Sequence, residues 1–381
     1  MGKSAYIPAL MFATAVFSGC GDKTVCTGPI SRPVKATEIV IPSTRQVLPL
    51  SDGSLAAVVE IGETDCKAVA KIARDGSFTL SDTISDVKYL ENMCVNSSGE
   101  FILYKYLYKD GDNFYQLYKL DQNGRLIQET ETEYGPVVLL NDGGIAYFKR
   151  EYVSEIGQEN LVMRIIGKTF KYVFEKDFAC NNVFPFEDKL FTYDTFTGEY
   201  YVFKTDGSYI GSGSLNNLLD MVSYIDGYLY AVSYGGVAGP DRDNDTGVYK
   251  WFITKMDTSG NVIFSTEIDV FSVFSYFSRY DGKLIVTGSV TTDYEKDEGY
   301  GAIFLIDEND GTHTETVALD YSGCDVLPVY VSPDNKGGYD VYAVRRNDYD
   351  EVPAYETGFS HIYGGSLFVY HVSNLHELEV K

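Results

Sequence analysis

A short acidic segment is the clearest candidate for ion binding in this sequence. It places Asp241, Asp243 and Asp245 at alternating positions and follows them with Gly247. Carboxylates spaced in this way on a tight turn converge on a hard cation, as they do in calcium-binding loops. The segment departs from an EF-hand loop because its glycine comes one place late and its twelfth position is Phe252. The pattern predicts a structural calcium ion and no other cofactor, with a solvated acidic turn as the alternative.

Two further segments interleave carboxylates with rings. Their candidate ligand-binding residues are Asp293, Tyr294, Glu295, Asp297 and Tyr300 in the first, and Asp348, Tyr349, Asp350 and His361 in the second. Aromatic faces stack on sugars or peptides while carboxylates accept hydrogen bonds, so we predict a ligand site there. Paired carboxylates also catalyse glycoside hydrolysis, but only at separations that a sequence does not give. A polysaccharide-active hydrolase or lyase is therefore an alternative function.

Other catalytic patterns are missing from the sequence. There is no H-E-x-x-H, no G-x-S-x-G, no phosphate loop and no dinucleotide fingerprint. A Ser-His-Asp set stays open because its members need not be close in sequence. His371 lies in the strand-like run FVYHV, where we expect a packed or surface histidine rather than a ligand. The sequence nominates no catalytic residue, and we do not expect an enzyme.

Two series of turns mark the ends of the strands that position these segments. Each series is rich in Asp-Gly, Asn-Gly or Ser-Gly pairs, which tolerate positive φ angles. The first series falls at Gly53, Gly99, Gly143, about Asp188, Gly227, Gly282 and Gly337. The second falls at Gly76, Gly124, about Gly167, Gly207, Gly260 and Gly311. Both recur at intervals of roughly 40–55 residues, a period typical of propellers and solenoids.

Between the turns, β-branched and aromatic residues alternate with polar ones, as in KLIVTGSV and QLYKLD, which favours strands. SLNNLLDMV (214–222) is the nearest approach to a helix, of one or two turns. We predict an all-β fold, a single β-propeller of seven four-stranded antiparallel blades, with an eight-bladed ring or a pair of sandwiches as alternatives. The predicted blades are 45–82, 88–130, 134–176, 179–215, 219–268, 273–318 and 325–381. Either 36–42 or 376–381 completes the last blade.

The long insertions all fall between the second and third strands of a blade. They are residues 233–249, 290–300 and 346–364, in three consecutive predicted blades. In an antiparallel blade these connections share one face of the ring, opposite the two turn series. Long loops on a rigid scaffold are where binding usually occurs. We therefore predict a binding lobe on that face.

The N-terminus has the features of an export signal. Lys3 precedes an apolar run from Ala5 to Phe17, which is too short for a spanning helix. Phe17-Ser18-Gly19-Cys20 follows, and small residues before a cysteine resemble a bacterial lipobox. We predict a signal peptide at 1–19, a tether at 20–35 and the propeller domain at 36–381.

The leader and the turn pattern together resemble the propeller lipoproteins of Gram-negative bacteria, especially Bacteroidetes. The resemblance implies lipidation of Cys20, and Gly21 after it implies sorting to the outer membrane, on its periplasmic side or at the cell surface. It covers most of the chain but brings no catalytic motif. The blades lack a Trp-Asp ending and a regular set of tryptophans.

The net charge of the chain limits the kinds of partner that it can bind. A formal net charge of −24 argues against nucleic acid, because no basic stripe is available to displace counterions from phosphates. We expect a monomer that contacts the membrane through its lipid anchor alone and binds a glycan, a peptide or an envelope protein. The predicted function is a ligand- or partner-binding propeller, ligand unknown. A structural component of an envelope complex is a second alternative.

Overall fold

The computed structural model describes residues 36–39, 44–50, 52–61, 66–85, 90–109, 112–133, 137–153, 158–166, 172–178, 182–194, 197–215, 218–236, 249–268, 272–293, 298–319, 326–334, 336–345 and 367–378. Within these residues the chain forms 28 β-strands and one short 3-10 helix, Leu375–Leu378. The strands pair antiparallel into four-stranded sheets.

The first four sheets follow one another in chain order. Sheet one contains β2 (Thr44–Pro49), β3 (Leu55–Glu60), β4 (Lys67–Ile72) and β5 (Phe78–Leu80). Sheet two contains β6 (Leu90–Val95), β7 (Phe101–Lys109), β8 (Asp112–Leu120) and β9 (Leu126–Glu133). Sheet three contains β10 (Val137–Leu139), β11 (Ile145–Val153), β12 (Gln158–Ile166) and β13 (Tyr172–Phe178). Sheet four contains β14 (Asn182–Phe186), β15 (Lys189–Tyr193), β16 (Glu199–Lys204) and β17 (Tyr209–Ser214).

The remaining sheets continue in the same way, except that the last one borrows a strand from the N-terminal end. Sheet five contains β18 (Leu218–Ile225), β19 (Tyr228–Gly236), β20 (Tyr249–Met256) and β21 (Val262–Ile268). Sheet six contains β22 (Ser272–Tyr280), β23 (Lys283–Asp293), β24 (Glu298–Asp307) and β25 (His313–Ala318). Sheet seven contains β26 (Val326–Pro333), β27 (Tyr339–Arg345), β28 (Leu367–Val372) and β1 (Ala36–Ile39).

Each sheet is buried on both faces, which explains why its strands are rich in apolar residues. Successive apolar side chains pack alternately on one face and on the other. On β23, Leu284 and Val286 pack against sheet five, whereas Ile285 between them packs against sheet seven. Successive side chains of a strand point to opposite sides, so one strand supplies the core of two interfaces. Every sheet therefore lies face to face with two neighbours.

The apolar clusters between sheets run round a closed ring. Six of them join successive sheets from one to seven. A further cluster joins sheet seven to sheet one and contains Leu55, Ala57, Tyr342 and Val369. An all-β ring of four-stranded antiparallel sheets is a β-propeller, as predicted, and we refer to the sheets below as blades one to seven.

The ring is closed by a strand from the beginning of the domain. β1 pairs antiparallel with β28, with Ala36 opposite Tyr370 and Ile39 opposite Leu367. Of the two predicted ways of completing the last blade, the structure uses residues 36–39. The segment at 375–378 instead forms the 3-10 helix, which buries Leu375 and Leu378 against blades six and seven.

One predicted element is wrong. SLNNLLDMV (214–222) forms the end of β17 and the beginning of β18 rather than a helix. A β-bulge shifts the register of β18 between Leu219 and Met221. Because of that bulge, Leu219 and Val222 both face blade four while Met221 faces blade six. Apolar residues three apart therefore share a side, which imitates helical periodicity.

The turns use the residues that their geometry requires. Asp226 with Gly227, and Asp281 with Gly282, all have positive φ, as expected of two-residue hairpins of type I′. At Gly53 only the glycine has positive φ, and its amide donates to the Leu50 carbonyl in a longer turn with a bulge. We call the connections between first and second strands the inner turns and their end of the ring the turn face. The opposite end is the loop face.

Candidate functional site

The three predicted insertions leave the loop face of adjacent blades. β19 ends at Gly236, β23 at Asp293 and β27 at Arg345, and each is the second strand of its blade. Shared apolar clusters place blade six between blades five and seven. The fold thus brings the ends of three second strands, from separate segments, to one side of the ring.

Most of the predicted site residues lie outside the described residues. These are Cys20, Asp241, Asp243, Asp245, Tyr294, Glu295, Asp297, Asp348, Tyr349, Asp350 and His361. Asp293 and Tyr300 belong to described strands, so their backbone positions are known. The calcium and ligand sites proposed on these residues stay predictions.

The segment 290–300, predicted as a loop, is largely a hairpin. Among the described residues, β22 pairs with β23 as far as Val290, and β25 pairs with β24 as far as Ala302. Beyond Val290 the described pairs are those between β23 and β24, up to Asp293 opposite Glu298. A two-stranded extension therefore projects from the loop face of blade six. The Val290–Tyr300 pair marks its base.

A second projecting hairpin in blade two was missed by sequence reasoning. β7 and β8 pair as far as Lys109 opposite Asp112, whereas the described pairs of β6 with β7 end at Lys105. Tyr108 near the tip is 69% exposed. The signal was present as the run FILYKYLYK, which is rich in apolar and aromatic residues over nine positions.

The turn face carries a different chemistry, in which side chains link one inner turn to the next. The Ser97 amide donates to Asn141 Oδ1 at 3.1 Å, and Asn141 Nδ2 donates to the Glu187 carbonyl at 2.7 Å. The Tyr224 hydroxyl donates in turn to the Glu187 carboxylate. Hydrogen bonds from Lys189 and Tyr224 lower the pKa of Glu187. These contacts join blades two, three, four and five.

The junction of blades five and six uses ion pairs. Arg279 donates to Asp226 of blade five at 2.8 Å and to Glu308 of its own blade. Lys255 Nζ lies 4.0 Å from the centre of the Tyr228 ring and donates to the Glu308 carbonyl at 2.8 Å. Burial lowers the pKa of Lys255, although the charge of Glu308 opposes that shift. Arg279 and Lys255 both contact groups on the neighbouring blade, so this cluster joins blades five and six.

The remaining contacts close the ring between blades six, seven and one. The Tyr280 and Tyr339 rings meet edge to face, with centroids 5.3 Å apart. The Tyr342 hydroxyl donates to the Gly53 carbonyl at 3.3 Å, and Arg74 Nη1 donates to the Pro333 carbonyl at 3.1 Å. Among the described residues, six junctions between successive blades therefore have a contact that joins inner turns or the strand ends beside them.

Blade seven holds a serine, an aspartate and a histidine in one cross-strand row. Ser332 lies opposite Asp340, and Asp340 lies opposite His371. His371 Nδ1 is 2.6 Å from Asp340 Oδ1, and Arg74 of blade one lies 3.8 Å from the same carboxylate. Because the aspartate stands between the other two, the histidine has no direct path to the serine hydroxyl. The row supports ring closure, and His371 is a surface histidine as expected.

A groove of about 320 Å³ separates the inner turns of blades one and two. Its walls are Pro49, Leu50, Asp52 and Lys71 from blade one, and Val95 to Gly99 from blade two. Burial alone would raise the pKa of Asp52, but hydrogen bonds from Ser54 and the charge of Lys71 outweigh it and lower that pKa. No pattern in the sequence pointed to this groove, because its residues are ordinary turn residues.

The described residues contain neither a cluster of metal ligands nor a membrane-spanning helix. Among them, no group of three His, Cys, Asp or Glu side chains lies close enough together to hold a metal ion. The part of the chain that the structure describes also contains no apolar helix of membrane-spanning length.

Comparison with known proteins supports the fold. The sequence matches no protein-family model and no curated protein. Among solved structures it is similar to an acylaminoacyl peptidase from Pyrococcus horikoshii, at 11% identity and a TM-score of 0.50, over 81% of this chain and 51% of that one. It is also similar to BamB from Moraxella catarrhalis, at 12% identity and a TM-score of 0.48, over 88% and 97% of the two chains.

The WD40 domain of Toxoplasma gondii coronin is a third similar structure, with 10% identity and a TM-score of 0.43 over 90% of this chain and 91% of that one. This chain spans about half the length of the peptidase. Identities this low bear on the fold alone. The likeness to the peptidase agrees with the ring of blades described above and says nothing of activity.

Proposed function

We propose that this chain is an envelope-anchored propeller that binds a ligand or a protein partner through its loop face. The observation that carries the proposal is the extension of β23 and β24 beyond the described pairs of β22 and β25. A hairpin that continues past its neighbours adds nothing to the core of its blade. Such projections on a rigid scaffold usually contact something else.

The neighbouring segments support a shared binding surface. Residues 237–248 and 346–366 connect second to third strands in the blades on either side of this hairpin. The predicted ligand residues belong to these connections and to the hairpin itself. Their mixture of carboxylates and aromatic rings suits a glycan, a peptide or a segment of an envelope protein.

We further infer a ring of seven blades that functions as a monomer. In support, the described strands form seven four-stranded sheets, and each sheet shares apolar clusters with two neighbours. Pairing of β1 with β28 closes the ring with the chain's own strand, so a second copy is not needed for closure.

The binding proposal is tested by site-specific cross-linking in the native host. Tyr300, at the base of the projecting hairpin, is replaced by the photo-reactive p-benzoylphenylalanine. The matched control carries the same group at Tyr209, a 57% exposed tyrosine on the outer strand of blade four. We expect defined cross-linked products from position 300 and none of them from position 209. Identical products from both positions, or none from either, would contradict the proposal.

A shortened hairpin gives an independent test. Replacing residues 291–299 with Asn-Gly joins Val290 to Tyr300, which lie opposite each other at the base of the extension, and leaves position 300 available for the cross-linker. The shortened chain should melt like the wild type, because the deleted pairs are made outside the blade. We expect it to lose the cross-linked partner, or its signal on an array of bacterial and host glycans. Retained binding would place the site elsewhere.

The lipid anchor is tested separately. Cells fed an alkyne-bearing fatty acid should label the wild-type chain, and Cys20→Ser should abolish both the label and recovery in the membrane fraction. Cys66→Ser is the matched control, because Cys66 is a free thiol within the propeller. Equal labelling of both variants would refute the anchor, whatever the outcome of the binding tests.

The predicted calcium ion is tested by melting the full chain with excess EDTA and then with calcium restored. An ion bound only to the folded state raises the melting temperature by mass action. We expect a reversible rise that is lost in Asp243→Ala. An unchanged melting temperature would leave Asp241, Asp243 and Asp245 as solvated charge.

A further inference from the structure

The groove on the turn face lies at the blade junction where no hydrogen bond, ion pair or ring contact links the described residues of the two inner turns. Neither Asp52–Ser54 of blade one nor Asn96–Gly99 of blade two has a described side-chain bond to the other turn. At the perimeter the same junction is closed, because Asp82 of blade one accepts from the Leu126 amide at 2.9 Å. The Asp82 amide also donates to the Gly124 carbonyl at 2.8 Å. The gap is thus a notch rather than a split between blades.

One wall of the notch presents a paired acid and base. Lys71 Nζ lies 3.3 Å from Asp52 Oδ2, and the two side chains are 44% and 56% exposed. The Asp52 carboxylate is held in place by the Ser54 amide, which donates to Oδ1 at 3.0 Å. An ammonium group has three donors and a carboxylate about four acceptor positions, so both retain capacity for a ligand.

The opposite wall is polar and the floor is apolar. Ser97 and Ser98 are exposed on blade two and add two hydroxyl groups. Leu50 is buried, and Pro49 and Val95 are half-buried between the walls. A volume of about 320 Å³ is at the lower end of the range for small-molecule sites, roughly 300–1,000 Å³. The space suits one small ring with a polar edge and a carbon-bound face.

The charges select against ionic ligands. An anion drawn to Lys71 comes within a few ångströms of Asp52, and a cation drawn to Asp52 meets Lys71, so attraction and repulsion offset each other. The net charge of −24 disfavours anions further. Two hydroxyl groups on neighbouring carbons fit the pair better, because one accepts from the ammonium while the other donates to the carboxylate.

We propose that the groove between the inner turns of blades one and two binds a neutral polyhydroxylated ring, of the size of a single sugar unit. The hydroxyl groups bond to Asp52 and Lys71 on one wall and to Ser97 and Ser98 on the other. The carbon-bound face packs on Pro49 and Val95. The site is on the face opposite the projecting hairpin and does not depend on the function proposed for it.

The test is a ligand-observed NMR titration of the full chain with the methyl glycosides of glucose, galactose and mannose. Glucosamine and glucuronate serve as cationic and anionic counterparts of the same ring. We expect saturable binding of at least one neutral glycoside with a Kd in the millimolar range, about −4 kcal/mol, as suits a small open site. Both charged rings should bind more weakly.

Three variants localise the site. Lys71→Met keeps the side-chain stem and removes the donors, and it should weaken binding about tenfold or more. Ser98→Leu fills the notch from an exposed position and should abolish binding. Lys336→Met is the matched control, because Lys336 is likewise an exposed lysine beside an inner-turn aspartate, in blade seven.

Several outcomes would overturn the proposal. No saturation by any of the three glycosides at about 50 mM would refute the site, since even weak sugar binding is visible at that concentration. Binding that is unchanged in both Lys71→Met and Ser98→Leu would place it elsewhere. Tighter binding of glucosamine or glucuronate would refute the neutral class. Thermal melts establish that each variant is folded, and Lys71→Gln replaces Lys71→Met if that variant is not.

Discussion

The hydroxyl group of Tyr200 should contribute measurably to the stability of the ring. It donates to the Gly260 carbonyl at 2.7 Å, across the junction between blades four and five, and the tyrosine is only 3% exposed. The ring is held in place by stacking on Phe191, with centroids 5.1 Å apart. It also fits closely against Gly213, where an added Cβ would lie 2.3 Å from the hydroxyl oxygen. Tyr200→Phe therefore removes one oxygen without moving the ring.

The size of the effect follows from what is left behind. A typical intramolecular hydrogen bond contributes about 0.5–1.5 kcal/mol net, and a buried acceptor left unpaired costs about 1–3 kcal/mol. The phenyl ring leaves no cavity of its own, so no packing loss is added. We expect Tyr200→Phe to lower the free energy of unfolding by about 1–3 kcal/mol.

Urea unfolding followed by tyrosine fluorescence and far-UV circular dichroism measures this difference. Tyr209→Phe is the matched control, because Tyr209 is 57% exposed and its hydroxyl contacts Ser212 at 2.9 Å in solvent. That substitution should change the free energy of unfolding by less than about 0.5 kcal/mol. If Tyr200→Phe is as stable as the wild type, or if both variants lose the same amount, the hydrogen bond does not join the blades as described.

Three other predictions concern the ring. Burial raises the pKa of Tyr224 and of Tyr230 to about 12, above the usual value of about 10. The folded state then holds these protons more tightly than the unfolded state does. The stability that the two tyrosines contribute is therefore complete below pH about 10 and is lost as the pH rises through about 12. A melting temperature that stays constant over this pH range would contradict the prediction. Gly282 and Gly311 both have positive φ, but an added Cβ meets nothing within 4 Å at Gly282 and lies 2.6 Å from a phenylalanine ring carbon at Gly311. Gly282→Ala should cost about 1 kcal/mol in urea unfolding, and Gly311→Ala more, with equal losses as the contrary result. Deleting the chain through residue 39 removes the outer strand of blade seven, so we expect a lower melting temperature and concentration-dependent association through the bared edge of β28, neither of which occurs if the ring closes without that strand.

The architecture could be predicted because its signals are local. A turn that needs positive φ calls for glycine within two or three residues of the strands it joins, as at Gly53. The alternation of apolar residues marks each strand independently of the rest. The predicted blade at 273–318 accordingly runs from Ser272 to Ala318 in the structure. Four-stranded antiparallel blades follow from such short-range rules.

Closure of the ring could not be predicted in this way. The segments at 36–42 and 376–381 are both short, and both mix apolar and polar residues. The choice between them depends on the edge of β28, which is hundreds of residues away from β1. Leu375 and Leu378 find burial as a short helix instead, in a cleft that exists only once blades six and seven have packed.

The candidate sites likewise differ in whether local sequence or the packing of neighbouring blades determines them. Acidic and aromatic residues in the insertions could be recognised from composition, because binding surfaces favour them. The links between inner turns could not, because Asn141 or Glu187 looks like any polar turn residue until the next blade is beside it. The groove between blades one and two is harder still to predict. Its walls come from residues far apart in sequence, and one wall carries Asp52 paired with Lys71 of the same blade.

The two faces of the ring therefore differ in how much they contribute to its stability. On the turn face, polar side chains join blade to blade, so a substitution at Glu187 or Arg279 disturbs a junction as well as a turn. On the loop face, β23 and β24 extend past the described pairs of the strands that flank them, and their outer pairs have no described partner strand. Length and sequence can change there at little cost to the ring. Binding that depends on the loop face can thus diverge freely. A ligand in the turn-face groove would bridge a junction whose described inner-turn residues share no hydrogen bond or ion pair, and would stabilise the closed ring by mass action.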